Sequence, residues 1–168
     1  ESGWRITLAD TGASTLTGGR VKRIQRYVGN ERFMLTYGDG VADVDLSALL
    51  AFHQEHGAIG TVTGVRSPGR FGELSLQDQV VTAFAEKPAE SGSLINGGFF
   101  VFEPAFFDYL SADESCMLER APLERLVGDE QLRVFRHGGF WQCIDTYRDF
   151  QLVNELWRTG HAPWKVWS

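Results

Sequence analysis

The chain has 168 residues and a net charge of −6, with 43% apolar and 12% aromatic side chains. This length predicts one domain spanning residues 1–168 with a sizeable core, and the composition excludes a disordered protein. The acidic balance without a lysine or arginine cluster excludes the electrostatic footprint of nucleic-acid binding, and no apolar run reaches the roughly 20 residues of a membrane span.

Strand and helix patterns follow one another along the chain, with glycine, proline or aspartate at most of the boundaries. In chain order the pattern predicts a strand at 4–8, a helix within 17–28, a strand at 33–37, a helix at 45–56, a strand at 60–65, a hairpin of 72–76 and 80–84, a strand at 94–102, helices at 104–110 and 122–127, strands at 131–135 and 139–144, and a helix at 146–159. This alternation predicts an α/β fold, Rossmann-like and doubly wound, with a mixed, mostly parallel sheet and an added antiparallel hairpin.

The first chemical motif is Tyr37-Gly38-Asp39-Gly40, directly after an apolar run. It puts one carboxylate at the carboxyl edge of a sheet, where α/β proteins bind ligands. Glycines on both sides leave room for a phosphate or a sugar, and a lone carboxylate suits Mg²⁺, which shares its other ligands with substrate phosphates. The alternative is an ordinary turn, because Gly-Asp-Gly is also turn chemistry.

Asp145 follows the apolar strand 139–144 and precedes the last helix. One hypothesis makes it the N-cap of that helix, a position that aspartate favours. The other hypothesis pairs it with Asp39 in a two-carboxylate Mg²⁺ site. The two hypotheses are compatible at this stage.

Two further motifs offer polar groups at strand ends or inside strands. Lys87 within Glu86-Lys87-Pro88 is a point charge suited to a phosphate, and Glu86 suits a sugar hydroxyl; the alternative is a solvated surface pair. Ile95-Asn96-Gly97-Gly98 places an amide and two glycines in an apolar strand, which predicts a closely approaching ligand or, equally, a bulge.

Four further features of the sequence carry predictions of their own. Thr17-Gly18-Gly19-Arg20 is a possible anion cradle at a helix start, without the pattern of a known phosphate loop. The four histidines lack zinc or triad spacing and are interpreted as surface or core residues. Cys116 and Cys143 are too few for a disulfide framework, which predicts a reducing, cytoplasmic compartment. The tryptophans of the tail, Trp164 and Trp167, predict core cover and leave an oligomer contact open.

The combination of motifs resembles the glucose-1-phosphate cytidylyltransferases, a branch of the sugar-phosphate nucleotidyltransferases. The resemblance covers essentially the whole chain and rests on these segments in order: Asp10-Thr11-Gly12, Thr17-Gly18-Gly19-Arg20, Thr36-Tyr37-Gly38-Asp39-Gly40-Val41, Arg70-Phe71-Gly72, Glu86-Lys87-Pro88, Ile95-Asn96-Gly97-Gly98-Phe99-Phe100, Gly139-Phe140-Trp141-Gln142, Asp145-Thr146 and Ala162-Pro163-Trp164-Lys165.

The resemblance implies that CTP and α-D-glucose 1-phosphate give CDP-glucose and pyrophosphate with Mg²⁺, as a step toward O-antigen or deoxysugar synthesis. It also implies a homo-oligomer that binds neither nucleic acid nor membrane. By the same resemblance each motif acquires a role: Asp39 and Asp145 hold the metal, Lys87 meets the sugar phosphate, Glu86, Asn96 and Gly97 contact glucose, Gly38 lies at the same substrate site, and Gly19 with Arg20 lies near the nucleotide.

Members of the family begin with a strand, a Gly-rich loop and a lysine that hold the base and triphosphate. We expect that segment to be absent from these 168 residues. Residues 1–168 alone are therefore not expected to make CDP-glucose, because the α-phosphorus loses its in-line positioning. The alternatives from other classes are a non-catalytic chain that binds sugar phosphate and a subunit that serves only assembly.

Overall fold

The computed structural model describes residues 3–66, 73–77, 80–85 and 94–167, with the backbone alone for 73–77 and 80–85. The helices are α1 Thr17–Arg23, α2 Gln25–Val28, α3 Leu46–His56, α4 Ala121–Gly128 and α5 Tyr147–Arg158, with a 3₁₀ helix at Pro104–Tyr109. The strands are β1 Phe33–Thr36, β2 Gly40–Ala42, β3 Gly60–Arg66, β4 Glu73–Gln77, β5 Val80–Ala85, β6 Leu94–Phe102, β7 Leu132–His137 and β8 Trp141–Cys143.

Four strands are hydrogen-bonded neighbours in the order β1-β6-β3-β7, so the sheet is joined by crossover connections. β4 and β5 form a separate antiparallel hairpin. β3 is rich in β-branched residues and buried along almost its whole length, as expected for a strand that is covered on both faces. The predicted α/β class with a mixed sheet and an added hairpin is confirmed.

The contacts divide the chain into two compact units. The first unit comprises the residues up to Met34 together with His53–Thr61 and Val101–Arg133. The second unit comprises Leu35–Phe52, Val62–Phe100 and the residues from Val134 onward.

The core of the first unit is aromatic. Phe102 stacks on Phe106 at a centroid distance of 3.8 Å, and Phe33 stacks on Phe107 at 5.0 Å. Phe102, Phe106 and Phe107 are at most 1% exposed. Burying each such ring contributes about 2–3 kcal/mol, which makes this cluster the main apolar support of the unit.

A polar chain in the first unit runs from the buried His53 and Thr61 to the exposed Arg32, and we call His53, His56, Thr61, Glu103 and Arg32 the histidine network. The Ala58 N–H donates to Nδ1 of His56 at 2.9 Å, so His56 carries its hydrogen on Nε2 and donates it to the Thr61 hydroxyl at 2.7 Å.

At its other end the network meets a carboxylate. His53 Nε2 lies 3.2 Å from Glu103 Oε1 and therefore donates, which leaves His53 Nδ1 to accept from the Thr61 hydroxyl at 2.8 Å. Arg32 completes the chain with a 2.7 Å bond to Glu103. Burial is the largest cause that lowers the pKa of His53 and of His56 from 6.5, in agreement with two neutral rings.

Helix boundaries follow the predicted signals in most places. Asp45 accepts from the Ala48 N–H at 2.9 Å at the start of α3, and Gly57 follows the helix with φ +64°. The segment predicted as a helix from Pro104 is a 3₁₀ helix, since Phe106 and Leu110 bond to carbonyls three residues earlier.

The predicted strand at 4–8 is wrong. Trp4, Ile6 and Leu8 are 77%, 76% and 92% exposed, and the structure assigns no strand there. Alternation favours a strand only where one face is buried and a neighbour pairs with the backbone, and the described residues supply neither. β2 was missed because three residues, Gly-Val-Ala, carry too short a pattern.

None of the helices that the structure describes has the length and apolar character needed to cross a membrane.

Candidate functional site

A cleft of about 320 Å³ lies in the second unit, at the end of β1, the beginning of β6 and beside β8. Most of its lining comes from the motifs that the sequence singled out. The lining residues are Thr36, Tyr37, Asp39, Gly40, Ile95, Asn96, Gly97, Gly98, Phe99, Trp141, Cys143 and Asp145.

The two predicted carboxylates reach this cleft through the pairing of β2 with β8. These strands are antiparallel, with Gly40 opposite Cys143. The Ile144 N–H donates to the Asp39 carbonyl at 2.7 Å, which fixes the backbone of Asp39 next to Asp145 in the ladder. Both aspartates are exposed and both line the cleft. The structure therefore brings both predicted carboxylates to one cleft, and their role as metal ligands stays a prediction.

Asp145 is not the N-cap of α5, and that hypothesis is corrected. Thr146 is the N-cap: its hydroxyl accepts from the Asp149 N–H, and the Asp149 carboxylate accepts from the Thr146 N–H in a capping box. The Asp145 carboxylate instead accepts from the Cys143 thiol at 3.2 Å, at the edge of the cleft.

Asn96 is exposed at the cleft, and its side chain is held from two sides. Its Oδ1 accepts from the Gly98 N–H at 2.9 Å, and its Nδ2 donates to the Tyr37 hydroxyl at 3.1 Å. The amide is thus oriented before any ligand arrives, and half of its hydrogen-bonding capacity remains.

The glycine pair of β6 has a packing explanation. A Cβ at Gly97 would lie 2.7 Å from Val65, and one at Gly98 would lie 2.7 Å from the Tyr37 ring. Gly98 also has φ +78°, which favours glycine. Trp141 Nε1 donates to the Gly97 carbonyl at 2.8 Å. Close contacts within the protein therefore account for both glycines, and the role of Gly97 as a substrate contact stays a prediction.

Gly38 is different, because a Cβ there would meet no protein atom within 4 Å. Its backbone is also outside the left-handed region. Neither packing nor conformation demands glycine at this position, and the open space is what the sequence predicted for an approaching phosphate or sugar.

Gly19 and Arg20 belong to α1, in the first unit. The Gly19 N–H donates to the Cys116 carbonyl at 3.0 Å, and a Cβ on Gly19 would lie 2.5 Å from the Asp113 carbonyl. Arg20 donates to the Thr11 hydroxyl at 2.9 Å. The helix start is therefore used in packing, and a nucleotide contact there stays a prediction.

Glu86 and Lys87 lie outside the described residues, so their predicted roles stay predictions. Among the cleft residues that the sequence did not predict are Tyr37 as a side-chain partner and Trp141 as a donor to the strand backbone. Both stand inside motifs that carried the resemblance, which was the available signal.

The donor chemistry of the cleft fits one Mg²⁺ ion. Two carboxylates supply hard oxygens, and Mg²⁺ prefers few protein ligands together with water or phosphate oxygens. In the part of the chain that the structure describes, no group of three or more His, Cys, Asp or Glu side chains is arranged for a metal, so substrate oxygens or water would complete the coordination.

Comparison with known proteins gives a consistent picture. The family model described as nucleotidyl transferase matches residues 11–158. The glucose-1-phosphate cytidylyltransferase of Salmonella typhi is 48% identical over 166 residues, which cover 98% of this chain and 64% of that protein. The enzyme of the same name from Salmonella typhimurium (strain LT2) is 47% identical over 166 residues with the same coverage. The chain thus spans 64% of the length of these curated relatives.

Among solved structures, HddC from Yersinia pseudotuberculosis matches with a TM-score of 0.62 at 19% identity. The match covers 84% of this chain and 62% of that one. At this identity the likeness supports the fold alone.

Proposed function

Because the chain belongs to the nucleotidyl transferase family, we propose that the protein transfers a cytidylyl group from CTP to α-D-glucose 1-phosphate, giving CDP-glucose and pyrophosphate. The cytidylyltransferase names of the relatives at 47–48% identity support the choice of nucleotide and sugar. The observation that carries the proposal is the single cleft in which Asp39, Asn96 and Asp145 meet.

In this proposal Asp39 and Asp145 hold Mg²⁺. Three observations support this: both aspartates line the same cleft, both are exposed, and Thr146 rather than Asp145 caps α5. A bound Mg²⁺ would neutralise charge on the phosphate oxygens and orient them.

The protein groups supply position and charge. No protein nucleophile is needed, because an oxygen of the sugar phosphate attacks the α-phosphorus of CTP and pyrophosphate leaves. The chain therefore has to hold the two phosphates in line and offset their charge. We assign Lys87 to the sugar phosphate, Glu86, Asn96 and Gly97 to glucose, and Arg20 with Gly19 to the nucleotide, as the family resemblance implies.

Gly38 fits the same scheme. It sits in open space between Tyr37 and Asp39, so a phosphate or a sugar can approach its backbone without displacing a protein atom. It lies just after the end of β1, the kind of strand end at which α/β proteins generally place their ligands.

We also propose that the protein works in the cytoplasm as a homo-oligomer. The chain has only two cysteines, Cys116 and Cys143, too few for a disulfide framework, which supports a reducing compartment. The exposed Trp4, Ile6 and Leu8 support association with another copy. Sedimentation over a range of concentrations tests this, and a monomer at all concentrations would contradict it.

The test of function has two arms. In the first, glucose 1-phosphate is titrated onto residues 1–168 with and without Mg²⁺, and we expect binding that Asp39→Asn and Asp145→Asn weaken in the presence of Mg²⁺. In the second, the chain is joined to the part of the Salmonella typhi relative that it does not match, and pyrophosphate release is followed with CTP, UTP and GTP. We expect CTP to be preferred. Absence of glucose 1-phosphate binding, or equal use of the three nucleotides, would contradict the proposal.

A further inference from the structure

We infer that Tyr37 is a positioning residue: it fixes the orientation of the Asn96 amide and thereby selects among sugar 1-phosphates that differ in the configuration of one hydroxyl. The inference rests on the proposed function, because it makes the cleft a sugar-phosphate site. It goes further in naming the residue that makes the site selective.

The orientation of the Asn96 amide follows from hydrogen-bond chemistry. A backbone N–H can only donate, so the group that faces the Gly98 N–H at 2.9 Å is the amide oxygen. The NH₂ group must then face the other neighbour, the Tyr37 hydroxyl at 3.1 Å, which accepts. Exchanging the two ends of the amide would set its NH₂ group against the Gly98 N–H and lose that bond.

The Tyr37 hydroxyl is itself held in place through its ring. The ring packs edge-on against Phe100, with centroids 5.7 Å apart, and Phe100 is 1% exposed. On its other side the ring lies against Gly98, where a Cβ would come within 2.7 Å of Cδ2. The Tyr37 N–H donates to the Gly98 carbonyl at 3.1 Å. Tyr37 is thus held by the buried core and in turn holds the exposed Asn96 amide in place.

What remains on Asn96 is one hydrogen of Nδ2 and one lone pair of Oδ1. These can serve one hydroxyl that accepts and one that donates, in directions set by Tyr37 and Gly98. Epimeric sugars have the same size and composition, so only directed polar groups distinguish them well. Loss of the Tyr37 hydroxyl leaves the NH₂ end without its protein partner, and the direction of its remaining hydrogen is no longer fixed.

The experiment compares Tyr37→Phe with wild type on residues 1–168. Dissociation constants are measured by calorimetry for glucose 1-phosphate and for its epimers galactose 1-phosphate and mannose 1-phosphate. We expect wild type to prefer glucose 1-phosphate and Tyr37→Phe to lose about three- to tenfold of that preference, as expected for one neutral hydrogen bond. The matched control is Tyr27→Phe, which removes a hydroxyl that accepts from Arg26 in the first unit and should leave the preference unchanged.

A second variant keeps the inference testable if Tyr37→Phe folds poorly. Asn96→Ala removes the amide altogether, so it should lower the preference at least as far. If Tyr37→Phe folds, adding it to Asn96→Ala should change nothing more, because the Tyr37 hydroxyl then has no amide to orient. NMR of the Asn96 side-chain amide gives a readout independent of ligand: its two proton shifts should move in Tyr37→Phe and stay unchanged in Tyr27→Phe.

The outcomes separate the two proposals. If wild type binds none of the sugar phosphates, the proposed function fails and this inference fails with it. If wild type prefers glucose 1-phosphate and Tyr37→Phe keeps the full preference with unchanged Asn96 resonances, only the inference about Tyr37 is overturned.

Discussion

The histidine network of the first unit and the cleft of the second unit treat their polar groups in opposite ways. In the network each ring nitrogen of His53 and His56 has a partner, and Thr61 serves both rings. In the cleft Asp39 and Asp145 are exposed, and Asn96 uses only half of its capacity. Polar groups that satisfy one another stabilise a fold, whereas polar groups that keep spare capacity on a fixed backbone can receive a ligand.

The largest expected effect comes from removing charge in the cleft. In the chain joined to the unmatched part of the Salmonella typhi relative, Asp39→Asn and Asp145→Asn should each lower kcat by about 10²-fold or more, as lost transition-state charge stabilisation does. The free energy of unfolding should change little, because both carboxylates are exposed. Pyrophosphate release and urea unfolding measure the two quantities.

The matched control for those variants is Asp108→Asn, an exposed aspartate of the first unit. It should leave kcat unchanged. If either cleft variant retained near wild-type turnover at ordinary Mg²⁺ concentrations, that aspartate would belong to a turn and not to a metal site.

The next largest effect is expected on stability, from a substitution of Thr61 at the centre of the histidine network. Thr61→Val preserves shape but removes the hydroxyl that His53 Nδ1 and His56 Nε2 share, at a cost of about 1–3 kcal/mol for each hydrogen bond lost. Thr63→Val is the matched control on the same strand: Thr63 is also fully buried, but its hydroxyl has no hydrogen-bond partner among the described residues. It should be neutral or stabilising, and equal destabilisation by both variants would contradict the network.

Much of the fold was predictable from local patterns, and the main failure came from a requirement that local patterns do not show. Asp45 and Pro122 marked helix starts, and the β-branched run of β3 marked a buried strand. The predicted strand at 4–8 failed because alternation does not reveal whether a partner strand exists.

The candidate site likewise has features that the local sequence predicts and features that it does not. The strand-end aspartates could be predicted, since each ends an apolar run. The capping choice between Asp145 and Thr146 was also open to prediction, because Thr146 followed three residues later by Asp149 is a capping-box pattern. Contacts that depend on distant segments, such as Tyr37 with Asn96, have no local signal.

A smaller expected effect is a pH dependence of stability, which distinguishes the histidine network from the cleft. Burial lowers the pKa of His53 and of His56 from 6.5, so just below pH 6.5 the unfolded chain binds more protons than the folded one. The contribution of the two neutral rings to the free energy of unfolding should therefore be complete above pH 6.5. The free energy of unfolding should fall as the pH drops below 6.5, by at most about 1.4 kcal/mol per pH unit for each histidine. Urea titrations from pH 7.5 to 5 measure the slope.

The control for the pH dependence is His161→Gln, which alters an exposed histidine outside the network and should keep the slope. His53→Gln should reduce the slope, although it also lowers stability at pH 7.5. A wild-type stability that stays constant or increases between pH 6.5 and 5 would show that the two rings are not held neutral.

The smallest expected effect is the one that most sharply separates a site made for a ligand from one made for packing. Gly38→Ala meets no protein atom within 4 Å and requires no unusual backbone, so the free energy of unfolding should stay within about 0.5 kcal/mol of wild type. Glucose 1-phosphate binding should nevertheless weaken about fivefold, the lower end of what an added methyl costs in a filled space.

Gly98→Ala should instead lower the free energy of unfolding, because the added Cβ would collide with Tyr37 and the backbone there has a positive φ. Gly138→Ala, also open and in the same unit, should affect neither quantity. If Gly38→Ala left calorimetric binding intact, the space beside Asp39 would be ordinary solvent and the ligand would have to approach the two carboxylates from elsewhere.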